Sequence, residues 1–281
     1  MTVAIIPDVR ANDGTTLPHV GLGTYKLNGS AGVAAMVDAM HRGYRLIDSA
    51  FNYENEGAVG EAVRRAGVPR SELRITSKLP GRHHRYDSAL RTIEESLYRA
   101  NLEYFDLYLI HWPNPNQGVY IEAWQAMVEA RKRGLVRSIG VSNFLPEHLD
   151  RIIADSGVTP SVNQVELHPY FPQMAQRVYH DTHRIITESW SPIGRGQDLL
   201  AEPVLTGIAT RVGRSVAQVV LRWHVQLGAV PLPKAANGER QSQNLAVFDF
   251  ELSADDMANI ATLERTNGRI LGLDPLTHEE F

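Results

Sequence analysis

The chain has no cysteine among its 281 residues. Disulfide frameworks, thiolate nucleophiles, thiolate metal sites and iron–sulfur clusters are therefore excluded from its chemistry. No run of about 18 consecutive apolar residues occurs, the length at which a segment starts to look like a membrane-spanning helix. Met1 to Asp8 carries only a short apolar stretch before Pro7 and no basic leader, so no secretory signal is expected there. A basic excess is missing as well: 28 Lys and Arg against 32 Asp and Glu leave a net charge of −4. Neutralising nucleic-acid phosphates needs a basic surface. The expectation is a cytoplasmic monomer that binds neither nucleic acid nor membrane and works on a small molecule.

A dinucleotide fingerprint is also lacking. Gly21-Leu-Gly23-Thr-Tyr-Lys26 is the nearest approach to G-x-G-x-x-G, and it fails at the third glycine with no helical pattern directly after it. Internal repeats, low-complexity tracts and linkers are absent. Length alone would allow two domains, but parallel α/β barrels use about 250 residues in one piece. One domain over 1–281 is expected.

What is present is an alternation of strand-like and helix-like stretches. Asp13-Gly14 between two β-prone segments predicts a hairpin at the start. Strand-like runs follow at Val20–Gly23, Arg45–Ala50, Leu73–Leu79, Phe105–Trp112, Val136–Asn143, Ser161–Leu167, Arg184–Trp190 and Ala229–Lys234. Between them lie helical spacings such as Val33, Met36, Val37, Met40, closed by Gly43, and Val59, Ala62, Val63, Ala66, closed by Gly67. Further helical patterns run through Leu90, Ile93, Leu97; Trp124, Met127, Val128; and Val216, Val219, Val220, Trp223. Eight strands, each followed by a helix, predict an α/β fold: a closed (β/α)8 TIM barrel with an N-terminal β-hairpin. Asn267 to Phe281 has no helical period and is expected to be a C-terminal loop tail.

In such barrels the active site forms at the carboxyl ends of the strands. Polar residues concentrate there: Asp48 with Tyr53 just beyond, Lys78, His111, Ser142-Asn143, Gln164, Trp190-Ser191 and Lys234. Each alone has an ordinary structural explanation, as a cap, a solvated strand end or a packing residue. Together they supply a carboxylate, an ammonium, a phenol and an imidazole at one barrel mouth. A free phenol, with a pKa of about 10, is a reluctant acid. A neighbouring ammonium is expected to lower it, and a carboxylate keeps that ammonium charged despite burial. A neutral imidazole can donate a hydrogen bond to the same substrate oxygen. This is apparatus for reducing a C=O group, with Tyr53 as general acid. The hydride must come from a cofactor. Ser142, Asn143 and Gln164 suit a nicotinamide carboxamide, Trp190 offers a stacking face, and Lys234 and Arg240 can bind a phosphate.

Three stretches resemble the aldo-keto reductase family, particularly its bacterial members similar to 2,5-diketogluconate reductases. They are Gly43-Tyr-Arg-Leu-Ile-Asp48-Ser-Ala-Phe-Asn-Tyr53-Glu-Asn-Glu56-Gly-Ala-Val-Gly60, Ile139-Gly-Val-Ser-Asn-Phe144, and Leu232-Pro-Lys234 with Arg240 and Asn244 downstream. The resemblance implies a catalytic tetrad of Asp48, Tyr53, Lys78 and His111, and NADPH lying extended across the barrel. It places Gly23, Thr24, Ser142, Asn143, Gln164, Trp190, Ser191, Lys234, Arg240, Gln243 and Asn244 around that cofactor, with Pro192-Ile-Gly194 along the pyrophosphate.

Two positions depart from the family pattern. Ala235 stands where a serine or threonine usually contacts the 2′-phosphate, and Gln243 stands where an acidic residue is common. Loss of one hydrogen bond to a charged group costs about 1.5–3 kcal/mol. NADPH is still favoured, with NADH accepted at lower preference.

Tyr25, Phe51 and Trp112 are expected to line the substrate entrance, with the loop Asn114 to Tyr120 and the tail. Large aromatic walls admit aldehydes, dicarbonyls or keto-sugars alike. His83-His84 is read as a solvated loop, and His180 and His183 as surface residues, because no acidic ligand or metal spacing accompanies either pair. No metal site is expected. Two rival functions use the same barrel: a nicotinamide-binding regulatory or sensor protein with a protein partner, or a metal-dependent hydrolase. A complete tetrad argues against the first, and the absence of a His-x-His pair against the second.

Overall fold

Turn chemistry at Asp13-Gly14 begins the fold, which a computed structural model describes over residues 6–196 and 198–281. The leader expectation falls in part on Met1 to Ile5, which lie outside the described residues. Strand β1 (Asp8–Arg10) pairs antiparallel with β2 (Thr16–Pro18). Gly14 sits at φ +89°, a conformation glycine adopts without a β-carbon clash. The hairpin covers the amino-terminal mouth of the barrel: Leu17 packs with Leu46, Leu107, Leu109, Val162, Val230 and Leu232, and Arg74 donates to the Thr16 carbonyl.

Eight parallel strands follow in sequential order. They are β3 (Leu22–Gly23), β4 (Leu46–Asp48), β5 (Arg74–Leu79), β6 (Phe105–Ile110), β7 (Val136–Ser142), β8 (Val162–Glu166), β9 (Ile186–Trp190) and β10 (Val230–Pro231). First and last strands meet through Gly21 N to Pro231 O at 3.1 Å and Gly23 N to Pro233 O at 3.2 Å. A β-carbon on Gly23 would lie 2.8 Å from the Leu232 carbonyl oxygen, so the seam requires glycine. The Gly-x-Gly pair is thus explained by barrel closure rather than by a phosphate-binding turn.

The helices are α1 (Gly29–Arg42), α2 (Glu56–Ala66), α3 (Tyr86–Ala100), α4 (Tyr120–Lys132), α5 (Pro146–Ser156), α6 (Met174–His183), α7 (Pro203–Val212), α8 (Val216–Gln226), α9 (Gly238–Leu245) and α10 (Ala254–Ala261). Gly43 and Gly67 end α1 and α2 in the left-handed conformation, at φ +117° and +63°. The expectation of one helix per strand is exceeded twice, since α7 and α8 both follow β9, and α9 and α10 both follow β10. Residues 266–281 form neither helix nor strand. Among the described residues no helix is long and apolar enough to cross a membrane.

Strand alternation sorts the side chains. In β6, Leu107 and Leu109 point into the barrel, whereas Tyr108 and Ile110 meet the helices outside. Met36, Met40, Val59, Ile93, Leu97, Trp124 and Met127 cover that outer face. Full burial of side chains this size is worth roughly 1.5–3 kcal/mol each. Leu46 points inward on β4, so the same parity turns Asp48 inward at the carboxyl end; Val162 does the same for Gln164 on β8. An apolar barrel floor therefore passes upward into a polar layer.

Two histidine expectations are corrected. His84 is buried at 1% exposure with neither ring nitrogen hydrogen-bonded, and burial pushes it down to about 4. His180 is fully buried between β8 and β9, bonded to Asn163, Gln176 and Thr187, and burial pushes it down to about 3. His84 faces Glu280 of the distant tail, whereas His180 packs onto the strands on either side of its own helix. His83 is half-buried against Thr92, and His183 half-buried against Tyr179.

Candidate active site

Asp48 ends β4, and Lys78 stands one residue before the end of β5 on the inner face. Lys78 Nζ lies 2.7 and 2.8 Å from the two Asp48 carboxylate oxygens and donates to the Ser49 carbonyl at 2.7 Å. Lys78 is fully buried, where an unpaired ammonium would be untenable. Burial alone would push it down, but the Asp48 carboxylate, by charge and by hydrogen bond, holds it above the ordinary lysine value.

The segment after β4 is pinned from within. Asn55 donates from Nδ2 to the Thr24 carbonyl at 2.8 Å and accepts at Oδ1 from Ser49 at 2.6 Å; the Thr24 hydroxyl donates to the Asp48 carbonyl. This fixes the turn that carries Tyr53. The Tyr53 ring centre lies 5.1 Å from Lys78 Nζ, 5.9 Å from the His111 ring and 5.2 Å from the Tyr25 ring.

The phenol departs from the expected shift. Burial raises Tyr53 more than Lys78 lowers it, and Asp48 and Glu280 add to the rise. The phenol thus stays protonated at rest. Lys78 acts on the phenolate only when the proton leaves.

Beside this group opens a cavity of about 1010 Å³. It is lined by Gly23, Thr24, Tyr25, Asp48, Tyr53, His111, Trp112, Asn143, Gln164, Trp190, Ser191, Lys234, Arg240, Gln243 and Asn244. Three expected residues lie off it. Lys78 is buried behind Asp48. Ser142 is buried too: its hydroxyl donates to the Gln164 carbonyl at 2.7 Å and accepts from Asn143 at 3.0 Å, so it supports Asn143 from behind. Phe51, placed at the entrance by the sequence, instead packs inward with the Arg99 guanidinium 3.9 Å from its ring centre. Of the loop Asn114 to Tyr120, none lines the cavity; Asn114 and Tyr120 are buried.

The polar wall is pre-set. Trp190 donates from Nε1 to Asn143 Oδ1 at 2.8 Å, and Asn143 donates to the His111 carbonyl at 3.0 Å. Gln164 donates from one amide nitrogen to Asp48 and Glu188, both at 2.9 Å. Asn143 at φ +63° and Ser191 at φ +49° hold left-handed backbone, the local strain that often marks a working site.

The tail reaches the cavity as expected, through Leu271 and Leu273, but the sequence missed other cavity residues, Arg195 and the Ser215–Ala217 stretch at the start of α8. Ser215 caps α8 with Gln218 in a capping box, a signal visible in the sequence as Ser-x-x-Gln. Arg195 gave no such signal, because its position depends on the left-handed turn Gly194–Gly196 after β9. Among the described residues, Lys234, Arg240 and Arg195 form no ion pair, and all three line the cavity. Among those residues, no three His, Asp or Glu side chains are arranged to hold a metal ion.

Comparison with known proteins places the whole chain. The chain is 54% identical over 276 residues to 2,5-diketo-D-gluconic acid reductase B of a Corynebacterium species, covering 98% of this chain and 99% of the relative. It is 42% identical over 268 residues to the methylglyoxal reductase DkgA of Salmonella typhimurium, covering 95% and 96%. A crystal structure of a Gox0644 mutant in complex with NADPH superposes with a TM-score of 0.93 at 44% identity, covering 98% of this chain and 99% of that one. Residues 19–265 match the profile of the Aldo/keto reductase family. With eight strands closed into a barrel and relatives matched along nearly their whole length, the chain belongs to the aldo/keto reductase family.

Proposed function

We propose that this protein reduces aldehydes, dicarbonyls or keto-sugars to alcohols, using NADPH and Tyr53 as general acid. The observation that carries the reading is the buried Lys78–Asp48 pair set behind a protonated Tyr53 and beside His111 at the wall of one cavity. Two relatives are named for reducing a diketo sugar acid and methylglyoxal, both small dicarbonyl compounds, and a structural neighbour holds NADPH.

The chain's own donors suit that cofactor. Trp190, anchored by its N–H, can present its ring to the nicotinamide. Gln164 has its amide nitrogen engaged but keeps its carbonyl oxygen for a carboxamide N–H. Lys234, Arg240 and Arg195 are cations suited to phosphate groups. When bound, the reduced nicotinamide supplies the hydride.

Tyr53 then donates its proton to the oxygen on which negative charge develops. The phenolate left behind faces the Lys78 ammonium, which Asp48 keeps charged. His111 orients the carbonyl from the neighbouring wall. Lys234 and Arg240 keep NADPH preferred, and Ala235, which removes one hydroxyl from the phosphate end, narrows its margin so that NADH is accepted at lower preference.

The test is to follow nicotinamide absorbance with NADPH and with NADH across aldehydes, 1,2-dicarbonyls and keto-sugars. Turnover favouring NADPH is expected. No oxidation of either cofactor with any carbonyl compound would refute the reading.

A further inference from the structure

The tail reaches the active site on a seat built from distant parts of the chain. Asn114 grips the Glu280 backbone twice: Nδ2 donates to its carbonyl at 2.8 Å, and Oδ1 accepts from its N–H at 3.1 Å. Asn116 N donates to Glu279 at 2.7 Å, and the His278 ring packs 4.4 Å from that of Trp112. The Glu280 carboxylate accepts from Asn52 Nδ2 at 2.7 Å and from Gly81 N at 2.9 Å. A β-carbon on Gly81 would lie 2.2 Å from the Asn114 amide, so this seat requires glycine.

The same carboxylate lies 2.7 Å from the buried His111 Nδ1, off the axis of an aligned hydrogen bond, so the contact acts through charge. Glu280 is not part of the cavity lining, whereas His111 is, so the carboxylate meets the ring away from the cavity and leaves Nε2 to face it. Burial would raise the Glu280 carboxyl, but His111, the Gly81 N–H and Asn52 together bring it down to about 2. It is an anion throughout the working pH range.

A neutral imidazole has one N–H and one bare nitrogen. A carboxylate has no proton to give and repels a lone pair, so the nitrogen against it is the one that carries hydrogen. We propose that Glu280 is a positioning residue that holds the proton of neutral His111 on Nδ1, so that an N–H donor at Nε2 exists only in the doubly protonated ring. The expected role of His111 is thereby sharpened: a neutral ring accepts at Nε2, and donation to the carbonyl belongs to the cationic form. The consequence for turnover rests on the reductase reading; the contact does not.

The other titratable and charged groups around this pair are Tyr53 and the Lys78–Asp48 pair from the β4 and β5 ends, His84 and Arg82 after β5, and His278 and Glu279 from the tail. Burial lowers both His84 and His278, so neither competes as a cation near neutrality. Arg82 is engaged with Asn52 and with the Phe281 backbone oxygen.

Nitrogen NMR of histidine-labelled protein, assigned against His111→Gln, tests the contact directly. Wild type should show neutral His111 protonated at Nδ1. In Glu280→Gln, whose amide can donate as well as accept, the Nε2–H form should appear. Reduction by the wild type should then fall as pH rises past loss of the second ring proton, and this fall should shrink about tenfold in Glu280→Gln, the order of one hydrogen bond to a charged group. A melting curve matching wild type establishes that the variant is folded. An unchanged tautomer in the variant, or Nε2–H in neutral wild type, would overturn the proposal, and so would identical pH profiles. If wild type reduces no carbonyl compound, the reductase reading fails, and the spectra alone decide the contact.

Discussion

Lys78 Nζ stands 2.7 and 2.8 Å from the two oxygens of Asp48 in a barrel interior where the lysine is fully buried. Removing one partner leaves the other as an uncompensated buried charge, which costs about 3–5 kcal/mol. Lys78→Met should therefore lower unfolding stability by about that amount as well as impair turnover. Replacing Asp48 by Leu in the same chain should recover much of the stability and none of the activity. Denaturant unfolding of the single and double variants is the check.

Glu188 should give stability an unusual pH slope. It is buried, and burial first, then Asp48, push it up to about 8 against the opposing Gln164 amide and Lys78. The native protein holds a proton there between about 4.5 and 8 that the unfolded chain releases. Proton binding by the native state alone means that stability falls as pH rises through this window. Glu188→Gln should remove the slope and be more stable than wild type by a few kcal/mol at the upper end, as each unit is worth about 1.4 kcal/mol. Unfolding midpoints at the two ends of the window measure it.

The phosphate end should set cofactor choice. Lys234→Ala or Arg240→Ala should weaken NADPH by about 1.5–3 kcal/mol, roughly ten- to a hundredfold, while changing NADH far less. Ala235→Ser should tighten NADPH by a similar factor. Fluorescence titration of the protein with each nucleotide, at fixed ionic strength, separates the two effects.

How much of this was legible in the chain depends on distance along it. Asp48 and Gln164 could be placed because strand parity is local: a residue two beyond an inward apolar side chain, Leu46 or Val162, points inward too. Tyr53 could be placed because the turn holding it is closed by Asn55, two residues on. His180 was misplaced because its i, i+3 spacing with His183 does not tell which side of α6 meets β8 and β9. Phe51 and His84 were misplaced because their surroundings come from elsewhere, as Arg99 does for Phe51 and Glu280 for His84. Glu280 was invisible for the same reason, since Asn52, Gly81 and His111 meet it only after the barrel has closed and the tail has returned to its mouth. The sign of the Tyr53 shift was missed because a list of neighbours carries no measure of burial.

Transfer of a proton from Tyr53 is the central claim, and single-turnover reduction with NADPH already bound tests it most directly. Tyr53→Phe keeps the ring and removes only the hydroxyl. The account predicts NADPH affinity within about twofold of wild type and a reduction rate lower by 10² to 10⁴, roughly the contribution of one general acid. A variant that binds NADPH normally and reduces the same carbonyl compound at the wild-type rate would contradict it.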